Sequence, residues 1–121
     1  MNKKFTKAIE VILKHEGGYV NDPNDLGGET NFGISKRSYP NLDIKNLTRD
    51  QAIEIYRRDW WDRYRYGEIE DLDVATKVFD LSVNMGPLPA HKLLQEAINF
   101  TKAGRIAVDG IIGPMTLSVL N

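Results

Sequence analysis

The chain has no cysteine among its 121 residues. That absence excludes disulfides, thiolate-bound zinc, iron–sulfur clusters and a thiol nucleophile, and leaves packing to supply stability. An excess of charge is lacking too, since 16 basic against 17 acidic side chains give a formal net charge of −1. Ten basic and nine acidic residues lie in the part ending at Trp60, six and eight after it, so no basic arm marks nucleic acid as a partner. No uninterrupted apolar stretch approaches the roughly 18 residues of a membrane span, and integral membrane insertion is not expected. Phe5, Ile9, Ile12 and Leu13 are interrupted by Lys7, Glu10 and Lys14, which is an amphipathic helix rather than the apolar core of a signal peptide.

Cofactor signatures are missing as well. There is no phosphate loop, dinucleotide fingerprint or nucleophile elbow. His15-Glu16 begins like a metalloprotease helix, but Tyr19 occupies the place of the second histidine. Asp22 to Glu29 has the composition of a calcium loop, yet Leu26 stands where an oxygen ligand is needed. No metal and no cofactor are expected.

What is present is ordinary globular composition, 41% apolar and 27% charged, at a length that fits one hydrophobic core. Phe5, Ala8, Ile9, Ile12 and Leu13 draw one stripe on a first helix that stops at Gly17-Gly18. Tyr19-Val20 and Thr30 to Ile34 flank a stretch rich in Asn, Asp, Pro and Gly, which predicts a small β-hairpin with a long loop. Thr48 and Gln51 form a capping-box pattern opening a second helix, with Ala52, Ile53, Tyr56, Trp60 and Tyr64 on one side. A third helix carries Ala75, Val78, Phe79 and Val83 and stops near Gly86-Pro87. A fourth runs from about Pro89 to Phe100, with His91 read as a surface residue, and Pro114 starts a fifth. The predicted class is α+β, mostly helical.

Glu16 is the most informative position. It lies four residues after Ile12, on the buried stripe at the last helical turn. Partial burial and the negative end of the helix dipole both disfavour its charged form, so a raised pKa is expected, as general-acid catalysis requires. A helix-end glutamate pointing to solvent is the plain alternative. Asp22, Asp25 and Thr30 come next, on the hairpin, and a protonated carboxyl facing an ionised one is the pair that glycosidic hydrolysis uses. Each aspartate taken alone is also ordinary turn chemistry.

The segment HEGGYVNDPNDLGGETNFGIS resembles the signature of the glycoside hydrolase 108 family of N-acetylmuramidases, and is similar to the wider phage-type lysozyme pattern. In that pattern a Glu, an Asp nine residues later and a Thr just beyond line the cleft. Glu16 and Asp25 keep the nine-residue spacing, while Thr30 stands five later, one fewer than usual. Phe79-Asp80, Val83-Asn84-Met85-Gly86, Leu94-Gln95 and Asp109-Gly110-Ile111-Ile112-Gly113 with Thr116 are similar to the peptidoglycan-binding region that accompanies the family.

The resemblance implies a lysozyme-like fold with a small β-hairpin next to the catalytic helix. One domain is expected over 1–121, with about 1–67 catalytic and about 73–121 helical and peptidoglycan-binding-like. The chain ends eight residues after Gly113, where the resembling region continues into a longer helix, so a shortened C-terminal part is implied. Glu16 matches the catalytic acid on the β-1,4 bond between N-acetylmuramic acid and N-acetylglucosamine, Asp25 the second carboxylate and Thr30 a residue placing water. Asp22 is a rival for the second carboxylate. Tyr19, Asn84 and Trp61 are candidate sugar-binding residues, with Trp60 assigned to the core because it continues the Ile53 and Tyr56 stripe. The implied partner is the peptidoglycan glycan strand. The implied protein is a monomeric phage or prophage endolysin, held in the host cytoplasm until a holin releases it to the wall. A non-catalytic wall-binding or tail-associated protein, a chitinase and a lytic transglycosylase are the alternatives.

Overall fold

The computed structural model describes residues 3–24, 28–101 and 105–121. Helix α1 (Lys3–His15) buries Phe5, Ala8, Ile9 and Ile12 on the face that the apolar spacing marks out. Lys14 and His15 sit in its last turn, where cations offset the negative end of the helix dipole. Next comes a three-stranded antiparallel sheet, made of β1 (Val20–Asn21), β2 (Glu29–Asn31) and β3 (Ile34–Ser35) in that order. Val20 pairs with Thr30 and Thr30 with Ser35, so β2 is central. The sequence predicts a single hairpin here. The third strand arises because Phe32 and Gly33 both adopt positive φ, 53° and 79°, which turns the chain back within two residues.

Helix α2 (Arg49–Tyr56) opens with the predicted capping box, the Gln51 amide donating to Thr48 Oγ1 at 3.1 Å and the Thr48 amide to Gln51 Oε1 at 2.9 Å. It continues without a break into a π-helical segment, Arg57–Asp62. A 3-10 turn (Tyr66–Glu68) leads to α3 (Leu72–Met85), capped by Asp71, whose carboxylate accepts from the Asp73 and Val74 amides. Gly86, at φ 94°, separates α3 from α4 (Pro87–Thr101), and α5 (Pro114–Leu120) starts on its proline. No helix among the described residues is long and apolar enough to cross a membrane.

The π-helical segment corrects the assignment of the two tryptophans. A π turn takes about one residue more than an α turn, so the inward position after Tyr56 falls five residues on rather than four. Trp61 is therefore the core residue, 2% exposed, with Phe5 and Phe79 each 5.6 Å away between ring centres. Its ring has no face left for a sugar. Trp60 is half-buried beside Tyr56, with ring centres 5.2 Å apart.

His91 is corrected in the same way. It is 2% exposed, its Nε2 lying 2.6 Å from Tyr66 Oη and its Nδ1 2.9 Å from the Gly110 carbonyl. A ring nitrogen that meets a carbonyl must donate to it, so in the neutral imidazole, which burial favours, Nε2 accepts from the tyrosine. Burial pushes its pKa down, against the bond to Gly110. Gln95, also buried, donates to Asp109 Oδ1 and the Ile111 carbonyl and accepts from the Gly110 amide at 2.8 Å. The 109–113 loop is thereby fixed to α4 by side chains rather than by sheet pairing.

Trp61→Ala is expected to lower stability by about 3–5 kcal/mol, as removal of a large core ring does. Trp60→Ala should cost clearly less, and denaturant midpoints of the two variants check the order.

Candidate active site

Glu16 is the first residue beyond α1. Its amide still donates to the Ile12 carbonyl at 2.9 Å, so its backbone continues the last helical turn and its half-buried side chain continues the core stripe. The Phe32-Gly33 turn lies directly against it. A Cβ at Gly33 would stand 2.7 Å from Glu16 Cγ, 2.9 Å from Glu16 Cδ and 2.7 Å from Tyr56 Oη. Glycine suits the position on two grounds: its positive φ, and the shift of the Glu16 or Tyr56 side chain that a Cβ here would force. Tyr56, from α2, donates its hydroxyl to the Phe32 carbonyl at 2.7 Å and so ties the turn to the helical core.

These neighbours set the acidity of Glu16. Burial raises its pKa first, the negative charge of Asp80 raises it further, and His15 opposes both. The carbonyl end of α1 acts in the same direction as burial. The Tyr56 hydroxyl is itself pushed well above its ordinary range, by burial and then by the charge of Glu16, so it remains a donor. A hollow of about 300 Å³ opens beside Glu16, lined among others by Leu13, Lys14, Gly17, Phe32 and Arg49.

Among the described residues, none of the other sequence candidates lines this hollow. Thr30 is half-buried on β2, one strand position from the Phe32-Gly33 turn's first pair. Tyr19 is exposed and donates its hydroxyl to Glu29 Oε2 at 2.6 Å, which steadies the ring across the sheet. Asn84 is exposed on α3, one helical turn beyond Asp80 and on the same face. Asp22 is exposed and engaged in its own turn, its Oδ1 accepting from the Asn24 amide at 2.9 Å. Asp25, with Leu26 and Gly27, lies outside the described residues.

The sequence profile of glycosyl hydrolase 108 matches residues 9–86. The chain belongs to this family. The solved structure of Brucella abortus SagA is similar to it at 31% identity and a TM-score of 0.77, over 96% of this chain and 67% of that one. No curated relative matches. The matched span of this glycosyl hydrolase 108 chain holds Glu16, Thr30, Gly33, Tyr56, Asp80 and Asn84, and stops at the glycine that ends α3.

A glycoside hydrolase needs a carboxyl that is still protonated when the leaving oxygen departs. Among the described residues, Glu16 meets that need by position and by its surroundings. Sequence reading gives Gly33, Tyr56, His15 and Asp80 no part in the hydrolytic site: it puts Tyr56 on a helix stripe and Asp80 in the region similar to peptidoglycan-binding ones. Two of them carried a readable signal: Gly33 as the glycine of a tight turn, and Asp80 as a charge within the buried run Ala75, Val78, Phe79 and Ser82.

Gly33→Ala pushes on the Glu16 side chain and strains the turn, so a loss of stability of about 1–3 kcal/mol and of activity by roughly 100-fold is expected in melts and hydrolysis rates. Because the folded state raises the Glu16 pKa, its stabilising share is full below the ordinary carboxylate range and is lost as pH rises through the raised value. Glu16→Gln cannot ionise, so it should melt above the wild type near neutral pH and lose that advantage in acid.

Proposed function

We propose that this chain is a peptidoglycan hydrolase, an N-acetylmuramidase cutting the β-1,4 bond between N-acetylmuramic acid and N-acetylglucosamine. Bacterial cell lysis is its proposed setting, with glycan strands of the wall as its partner. The observation that carries the reading is Glu16: a half-buried carboxyl at a helix end, roofed by a glycine turn and facing an open hollow.

In this reading the Glu16 carboxyl gives its proton to the glycosidic oxygen as the bond from that oxygen to the anomeric carbon breaks. The electron pair of the bond leaves with the oxygen, and positive charge develops on the sugar ring. Asp25 is the proposed second carboxylate; Thr30 helps place the water, whose oxygen bonds to the anomeric carbon as its proton passes to the Asp25 carboxylate. Asp22 is the poorer choice, because its carboxylate already serves the Asn24 amide. Tyr19 and Asn84, both exposed, are the proposed sugar contacts.

The protonated form of Glu16 is the active one, so kcat/KM should fall as pH rises through its raised pKa. Purified cell walls digested by the wild type should yield new reducing ends at muramic acid, identified by product mass. Glu16→Gln should slow clearing by about 100- to 10,000-fold. Equal clearing by both proteins removes Glu16 as the acid. Anhydro products reassign the chain to a lytic transglycosylase, and binding without cleavage to a wall-binding module.

A further inference from the structure

Gly17 and Gly18 follow Glu16 in the chain and line the hollow beside it. Glycine loses more freedom on folding than any other residue, so a pair of them needs a reason: a left-handed backbone, a close approach within the protein, or a close approach to something outside it. The first does not apply. Neither residue is among the glycines with positive φ, so α1 does not end in a left-handed cap at this pair. The second fails as well, because a Cβ at Gly17 or Gly18 would meet no atom of the described residues within 4 Å.

Gly33 and Gly67 show the contrast, since a Cβ there would stand 2.7 Å from Glu16 Cγ and 2.9 Å from Trp61 Nε1. Gly113, which is under neither demand, is the N-cap of α5, a position that glycine favours. Gly17 and Gly18 have no such use. Both are exposed, and the hollow they line offers apolar Leu13 and Phe32 together with the charged ends of Lys14 and Arg49. A sugar ring presents C–H faces and hydroxyl edges, and a concave site with apolar walls and a few polar groups suits both.

We propose that Gly17 and Gly18 are specificity-determining positions: their bare backbone is the floor on which the glycan strand lies beside the acid, a sugar ring taking the space that a Cβ would fill. The proposal deepens the muramidase reading and rests on Glu16 being the acid. The pair makes and breaks no bond. It acts by leaving room, and so governs how the strand is held rather than how the proton moves. A side chain at either position keeps the fold and narrows the path to Glu16.

The test is the series Gly17→Ala, Gly17→Val, Gly18→Ala and Gly18→Val, assayed on purified cell walls. Melting temperatures of the alanine variants should match or exceed the wild type, because alanine restricts the unfolded chain and clashes with nothing here. At one or both positions, the wall concentration giving half-maximal clearing should rise severalfold for alanine and by roughly 10- to 100-fold for valine. The rate at saturating walls should stay near the wild type. The same order should appear without catalysis, as weaker cosedimentation with walls when each substitution is combined with Glu16→Gln. Should a valine variant melt low, serine takes its place in the series. An alanine variant that melts well below the wild type overturns the proposal, since the fold itself then needs the glycine. A loss equal for alanine and the larger residue also overturns it, as the mark of lost backbone freedom rather than lost room. Unchanged clearing by the whole series beside an inactive Glu16→Gln removes the role of the pair and leaves the acid in place. An active Glu16→Gln overturns the acid reading itself, whatever the glycine variants do.

Discussion

The contact on which the other elements depend is the meeting of Phe5, Trp61 and Phe79, one aromatic ring each from α1, the π-helical segment and α3. Tyr56 and Tyr66 close the cluster, with ring centres 6.1 and 5.8 Å from that of Phe79. With no cysteine in the chain and no cluster of metal-binding side chains among the described residues, this packed group is what fixes three segments of the chain relative to one another. Large rings suit the task because each buries much area while restricting few torsions. The direction in which α1 delivers Glu16, and the face on which α3 presents Asp80 and Asn84, both depend on it.

The site itself is assembled against stability. A carboxyl is held partly out of water, at the wrong end of a helix dipole and near a second carboxylate, and a turn with two residues at positive φ is pressed upon it. None of these choices helps the chain fold. The Tyr56 hydroxyl on the Phe32 carbonyl and the His15–Asp80 pair are the compensations, each joining a site element to a core helix. Strain at a catalytic position that is supported from the packed core is the usual form of the trade between stability and activity.

Much of this was legible in the residues. The capping box at Thr48 and Gln51, the stop at Gly86-Pro87 and the start at Pro114 are local signals, settled within four or five residues, and the structure has them where the sequence puts them. The stripe of α1 placed Glu16 at the edge of the core, and its raised pKa is a consequence of that placement. What escaped depends on partners distant in sequence. His91 reads as a surface residue until Tyr66 and Gly110, 25 and 19 positions away, are brought to its two nitrogens. Asp80 reads as a motif letter until His15, 65 positions earlier, is seen to meet it. The tryptophans escaped for another reason: a period of 3.6 carries no information about where one extra residue enters a turn.

That extra residue lets two neighbours of identical chemistry take different addresses, Trp61 in the aromatic core and Trp60 against Tyr56. Seen as an insertion, it sets the reading frame of everything after Asp62. Removing one residue from 57–62 would restore an ordinary helix and rotate the downstream chain by about 100°. Trp60 would then enter the core and the approach of the chain to α3 would be re-aimed. Length in this segment is thus a harder constraint than side-chain identity: exchanging Arg57 or Arg58, whose ion pairs lie at the surface, disturbs less than losing a position from 57–62.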